Sequence, residues 1–137
     1  MAREVRLLLV EDDEVDVRTI LRALEKHRVT NQVTVASDGK EALDLLQSGN
    51  LPISPLVVLL DLNMPRMNGL ELLRAMRQDP RLAQVAVVVL TMSADEQNVV
   101  EAYNLNAAGY LRKPVQFDDF VLLMGTLHKY WTLVEMP

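Results

Sequence analysis

The feature that most limits what this chain can fold into is an alternation repeated five times. Short runs rich in Val and Leu are separated by longer stretches whose apolar residues recur at helical spacing. The runs cover residues 5–10, 33–36, 56–60 and 85–90, with Arg6 and Thr34 as their only polar interruptions. A fifth, at 107–111 (Ala-Ala-Gly-Tyr-Leu), is read mainly from its place in the pattern. Near-continuous apolar runs of this length suit parallel strands covered on both faces. Between them, Val17, Ile20, Leu21 and Leu24 stand at i, i+3, i+4 and i+7. Ala42, Leu45 and Leu46 follow Ser37-Asp38-Gly39, and Leu72, Leu73 and Met76 make a third stripe. Val99, Val100 and Tyr103 make a fourth behind Asp95 and Glu96, which suit a cap and first turn, and 117–131 forms a fifth helix. Strand and helix in alternation with short connections predict an α/β doubly wound parallel sheet, because right-handed crossovers place helices on both faces. The 137 residues contain no internal repeat, and 50–55 is an ordinary proline-bearing loop. A single domain over 1–137 is expected, with its core at about 5–131 and a short tail at 132–137.

Composition acts mainly by exclusion. No apolar run approaches the ~18 residues needed to span a bilayer. No signal-like stretch precedes Glu11-Asp12-Asp13, so a cytoplasmic protein with no membrane partner is expected. The net charge of −5 and the scattered basic residues argue against a nucleic-acid partner. With zero cysteines there are no disulfides, thiolate zinc sites or thiol nucleophiles. His27 and His128 lie far apart in the chain, which leaves a hard, oxygen-loving cation as the expected metal.

In an open parallel sheet, ligands bind beyond the carboxyl ends of the strands. The first run ends in Glu11-Asp12-Asp13 and the third in Asp61-Leu62-Asn63-Met64-Pro65. The fourth ends in Thr91-Met92-Ser93, and the fifth leads to Lys113-Pro114. Each has an ordinary use by itself: acids cap helices, an aspartate forms a turn, a threonine suits a strand and a lysine suits the surface. Their joint order is more demanding. Three carboxylates brought together repel unless a cation neutralises them. Mg2+ suits them because it takes few carboxylates and keeps waters and phosphoryl oxygens as its other ligands. Such an ion beside Asp61 offsets the charge of an incoming phosphoryl group, so that the carboxylate can attack phosphorus. Lys113 then supplies a point charge and Thr91 a hydroxyl donor for phosphoryl oxygens. The chemistry is phosphoryl transfer to an aspartate.

These residues resemble the receiver domain of bacterial two-component response regulators, over about residues 5–130. Val10-Glu11-Asp12-Asp13 is similar to the family's acidic pocket, which implies Glu11 and Asp12 at the metal, Glu11 through water. Asp61 within Leu59-Leu60-Asp61-Leu62-Asn63-Met64-Pro65 matches the phosphoacceptor, and the resemblance implies that Asn63 lends its backbone carbonyl to the metal. Thr91 matches the switch hydroxyl, Tyr110 the aromatic switch, and Lys113 the lysine before a usually cis proline, here Pro114. The implied fold is flavodoxin-like, with strand order 2-1-3-4-5. The implied cycle begins with a partner histidine kinase that presents phosphohistidine to Asp61 with Mg2+. Thr91 then moves toward the phosphate, Tyr110 turns inward, and the face of fourth helix, fifth strand and fifth helix is remodelled for a partner. The expected protein is an acceptor with slow self-hydrolysis, not a turnover enzyme.

Two residues stand apart. Met92 follows the switch threonine where the family more often carries a small side chain, and its bulk is expected to shield the phosphoryl group or hinder small donors. Asp13 is expected to cap the first helix, with a third acid near the metal as its other reading.

No second domain is expected after the fifth helix, so the output falls to a partner, a downstream phosphotransfer protein or the oligomeric state. Phe117, Phe120, Val121, Leu122, Leu123, Met124, Leu127, Tyr130 and Trp131 make that helix apolar around most of its circumference. The stripe of Phe120, Met124, Leu127 and Trp131 suffices to pack on the sheet, and the surplus points to a homodimer through the helix 4–strand 5–helix 5 face. Further details are similar to the stand-alone receivers that partner phytochrome-type histidine kinases. These are Asp79-Pro80-Arg81-Leu82, Leu90-Thr91-Met92-Ser93, Glu101-Ala102-Tyr103-Asn104-Leu105, Tyr130-Trp131 and Pro137; the likeness implies a bacteriophytochrome as donor.

Other readings fit less well. A haloacid-dehalogenase-type phosphatase expects a second acid where Asn63 stands. A flavodoxin expects a phosphate-cradling loop where Glu11-Asp12-Asp13-Glu14 would repel phosphate. A degenerate receiver that acts only as a protein-binding module remains the main alternative.

Overall fold

The computed structural model of the chain describes residues 4–53, 55–92 and 95–133. Ten elements alternate as β1 (Arg6–Val10), α1 (Glu14–Lys26), β2 (Val33–Ala36), α2 (Gly39–Gln47), β3 (Leu56–Leu60), α3 (Gly69–Gln78), β4 (Ala86–Thr91), α4 (Glu96–Asn104), β5 (Gly109–Arg112) and α5 (Phe117–Leu133). The five strands form one parallel sheet in the order β2-β1-β3-β4-β5, the flavodoxin-like doubly wound arrangement. Among the described residues no helix is long and apolar enough to cross a membrane.

The sheet is covered on both sides, and the period of two along its strands decides which residue meets which helix. Leu7, Leu9, Val57, Leu59, Val88 and Leu90 face α1 and α5, packing with Ile20, Ala23, Leu24, Phe120, Met124, Leu127 and Trp131. Leu8, Val10, Val58, Leu60, Val87 and Val89 face the other side, with Ala42 and Leu46 of α2, Leu72, Leu73 and Met76 of α3 and Ala102 of α4. All five residues of β3 are buried, as expected of a strand with neighbours on every side.

Side-chain caps set the helix starts. Asp13 accepts from the N–H groups of Val15 and Asp16, Asp38 from Glu41, and Asp95 from Gln97 and Asn98. Asn68 and Glu71 form a reciprocal capping box on α3. Asp13 thus takes the cap role read from the sequence.

Three sequence expectations need correction. The fifth strand begins at Gly109, not at 107, because Ala107 donates its N–H to Ala102 O and so closes α4, with Asn106 at φ 60°. The stripe of Val99, Val100 and Tyr103 does not face the core. Val100 and Tyr103 are half-exposed, and Ala102 is the buried residue of α4. Finally, much of the apolar surplus of α5 is already covered. Val121, Leu123 and Tyr130 pack against the core that α5 shares with α1, while Leu122 faces outward. Ser93 and tail residues 134–137, Pro137 among them, lie outside the described residues.

Candidate functional site

Glu11, Asp61 and Lys113 each sit one step past the end of a strand and Thr91 on the last position of β4, where the ladder of backbone hydrogen bonds still holds them. Glu11 N–H donates to Ala36 O at 3.0 Å, Asp61 N–H to Val10 O at 3.0 Å, and Lys113 N–H to Thr91 O at 2.8 Å. The parallel register therefore delivers β1, β3, β4 and β5 to one edge with their next residues side by side. The loop after Asp61 then folds back across the edge: Gly69 N–H donates to Leu62 O at 3.0 Å. A side chain at position 69 would collide with the Asp61 carbonyl and with Leu62, so this close approach requires glycine.

Glu11, Asp12 and Asp61 each offer a carboxylate oxygen, and these oxygens all lie within 4.8 Å of one another. Glu11 and Asp61 are buried, whereas Asp12 is open to solvent. Three hard donors at this spacing, with an open side for waters, fit a divalent cation of the magnesium or manganese kind. Asn63 stands exposed on the same loop, its N–H 3.5 Å from Asp61 Oδ1.

Lys113 answers the acids. Its ammonium is only 4% exposed and donates to Glu11 and to Asp16 Oδ2, the latter at 2.8 Å, with Asp61 Oδ2 at 3.5 Å. Burial works against its charge, but the hydrogen bonds to Asp16 and Glu11 outweigh it and hold the ammonium above the usual lysine range. Burial pushes the Glu11 carboxyl up to about 7, helped by the charge of Asp61 and opposed by the hydrogen bond from Lys113. Thr91 is fully buried at the end of β4. Tyr110 is partly buried on β5, packed against the core on the α2–α3–α4 side. Met92 stands at the rim, 60% exposed.

The structure thus brings Glu11, Asp12, Asp61 and Lys113 together, with Thr91 tied to Lys113 through the backbone. The sequence reading missed Asp16. A signal existed, since Asp16 falls in the first turn of α1 directly after the acidic cap, but an acid there reads equally well as a partner of the helix dipole.

The sequence matches the family described as the response regulator receiver domain over residues 7–124. It is 36% identical over 127 residues to the probable methanogenesis regulatory protein FilR2 of Methanothrix harundinacea, covering 91% of this chain and 82% of that one. It is 34% identical over 128 residues to response regulator Rcp1 of Synechocystis, covering 91% and 87%. Among solved structures, the Mn2+-bound form of response regulator Rcp1 superposes with a TM-score of 0.88 at 32% identity, over 98% of this chain and 99% of the other. The phosphorylated cyanobacterial phytochrome response regulator RcpA superposes with a TM-score of 0.87 at 30% identity, over 99% of both chains.

Proposed function

The chain belongs to the response regulator receiver domain family, and on that footing we propose that it takes a phosphoryl group from a histidine kinase onto Asp61 in the presence of Mg2+. The observation that carries this reading is the placement of the buried Asp61 carboxylate between an acidic cluster and one buried ammonium. The carboxylates of Glu11, Asp12 and Asp61, with the backbone carbonyl of Asn63, would hold the ion. When bound, Mg2+ supplies positive charge to the phosphoryl oxygens.

The chain's own groups do the rest. An Asp61 oxygen bonds to phosphorus as the phosphorus–nitrogen bond of the donor phosphohistidine breaks, and the electron pair of that bond leaves with the imidazole. Lys113 pairs with a phosphoryl oxygen, and the Thr91 hydroxyl donates to another. As Thr91 moves, Tyr110 turns into the space it vacates, and the face of α4, β5 and α5 is remodelled. The half-exposed Val100 and Tyr103 on α4 support this face as the surface offered to a partner, a second copy of the chain or a downstream phosphotransfer protein. The protein is an acceptor in a cytoplasmic relay, with slow loss of phosphate, and not a turnover enzyme. The likeness to Rcp1 and RcpA supports a phytochrome-type kinase as the donor.

Phosphate labelling tests the reading. Label is expected on the wild-type chain only with Mg2+, and Asp61→Asn is expected to abolish it. A chain that folds and binds Mg2+ but takes no label is a binding module instead.

A further inference from the structure

Lys113 has three carboxylate partners, hydrogen bonds to Glu11 and Asp16 and an ion pair with Asp61 at 3.5 Å, and two of the three belong to the cation cluster. Glu11 and Asp61 are both in the acidic group, while Asp16 is outside it, on the first turn of α1. The two oxygens of Glu11 are already engaged: Oε1 accepts from Lys113 and Oε2 from the N–H of Asp13 at 3.2 Å. A divalent ion that enters between Glu11, Asp12 and Asp61 competes with the ammonium for carboxylate oxygens, and it repels the ammonium as well. A buried lysine left without acceptors carries a heavy desolvation cost. Its charge needs another partner.

We propose that Asp16 is that partner, a positioning residue that retains the Lys113 ammonium when Glu11 and Asp61 turn toward a divalent cation. The inference rests on the acceptor reading of the site and adds a second use for α1, which carries the retaining carboxylate on the same turn as the Asp13 cap. Asp16 is one-quarter exposed, and one of its carboxylate oxygens lies 2.8 Å from Lys113 Nζ. Without Asp16 the ammonium has, among the described residues, only carboxylates of the cation cluster to pair with, and every binding event must compete with it. Asp16 thereby sets metal affinity without touching the metal.

Calorimetric titration of the folded chain with Mg2+ alone tests this, with no phosphodonor present. Asp16→Asn is expected to weaken Mg2+ binding about ten-fold, at the lower end of what partners outside the ligand set contribute. Glu14→Gln removes a charge from the same helix turn and is expected to leave affinity within about two-fold. In a Lys113→Met background, Asp16→Asn is expected to have no further effect, because the charge it retained is gone. Unchanged affinity in Asp16→Asn overturns the proposal. So does an equal fall in Glu14→Gln, or a ten-fold loss that persists without Lys113, since either makes Asp16 a mere through-space charge. If the lysine variant does not fold, the comparison of Asp16→Asn with Glu14→Gln decides by itself. A wild-type chain that binds no Mg2+ sinks the acceptor reading together with this one, whereas normal wild-type binding with an unaffected Asp16→Asn sinks this one alone.

Discussion

α1 and α4 begin alike and are held differently. Each starts on an aspartate that accepts from the N–H groups two and three residues on, at 2.8 and 3.2 Å for Asp13 and at 2.8 and 3.3 Å for Asp95. Beyond the first turn they diverge. α1 buries Ile20, Ala23 and Leu24 against the sheet and α5. Its last turn is tied to α5 where His27 bonds to the Val121 carbonyl, and Arg22 lies 5.3 Å from the centroid of the Phe117 ring. α4 buries Ala102. Polar fastenings reach it and the turn after it from α3: Arg74 pairs with Glu101, and Arg77 donates to the carbonyls of Leu105 and Asn106. A cap decides where a helix begins; the apolar area beneath it decides how firmly it is held. α1 is scaffold, and α4 is the element with little apolar contact to lose, which suits the repositioning proposed for its face.

The widest separation is expected from truncation in the two helices. Ile20→Ala should cost about 2–5 kcal/mol of unfolding free energy, whereas Val100→Ala on α4 should stay within about 0.5 kcal/mol. Denaturant unfolding measures both, and comparable losses would break the contrast. A smaller effect is expected at Gly125, where an added Cβ meets the His27 ring at 2.6 Å and must displace it. Gly125→Ala should cost about 1–3 kcal/mol, with part of the loss recovered in the double variant with His27→Ala. Full additivity would mean that the α1–α5 seam is looser than drawn.

Arg77→Met sharpens the other side. It removes the guanidinium from the carbonyls of 82, 83, 85, 105 and 106 and should cost about 1–2 kcal/mol. Amide exchange should speed up in α4 and at 105–107 while α1 stays protected. The smallest effect is expected at α2, which serves as a control with a doubly engaged cap. The backbone N–H of Glu41 and then the Arg66 guanidinium hold the Asp38 carboxyl below the usual carboxylate range. A depressed value means that the folded state favours the ionised form. Its stabilisation is therefore complete above about pH 4 and fades as pH falls through the lowered value. Asp38→Asn should flatten the acid limb of the stability profile slightly, and an unchanged limb would show that the pair contributes nothing.

Most of the sheet was legible because a doubly covered strand leaves a compositional mark. Runs such as 56–60 carry no polar residue, and few other environments tolerate that. The site was legible for a related reason: strand ends are fixed points, so Glu11, Asp12, Asp61 and Lys113 could be placed on one edge before their distances were known. What escaped notice depended on orientation. Val99, Val100 and Tyr103 have helical spacing, but spacing does not reveal which side of a helix meets the sheet, and the small Ala102 won that place. The start of β5 was misplaced because Ala107 is apolar both as a strand residue and as the closing residue of a helix. Asp16 was missed because its partner lies 97 positions away, beyond the reach of any local pattern.

The distance along the chain between Glu11 and Lys113 also bears on synthesis. Their contact spans 102 positions, and β5 is the last strand in sequence, at one edge of the sheet. A polypeptide still emerging from the ribosome has its acids but not their counter-charge until residue 113 is free to dock. A half-made chain therefore lacks the buried ammonium on which the proposed acceptor chemistry depends.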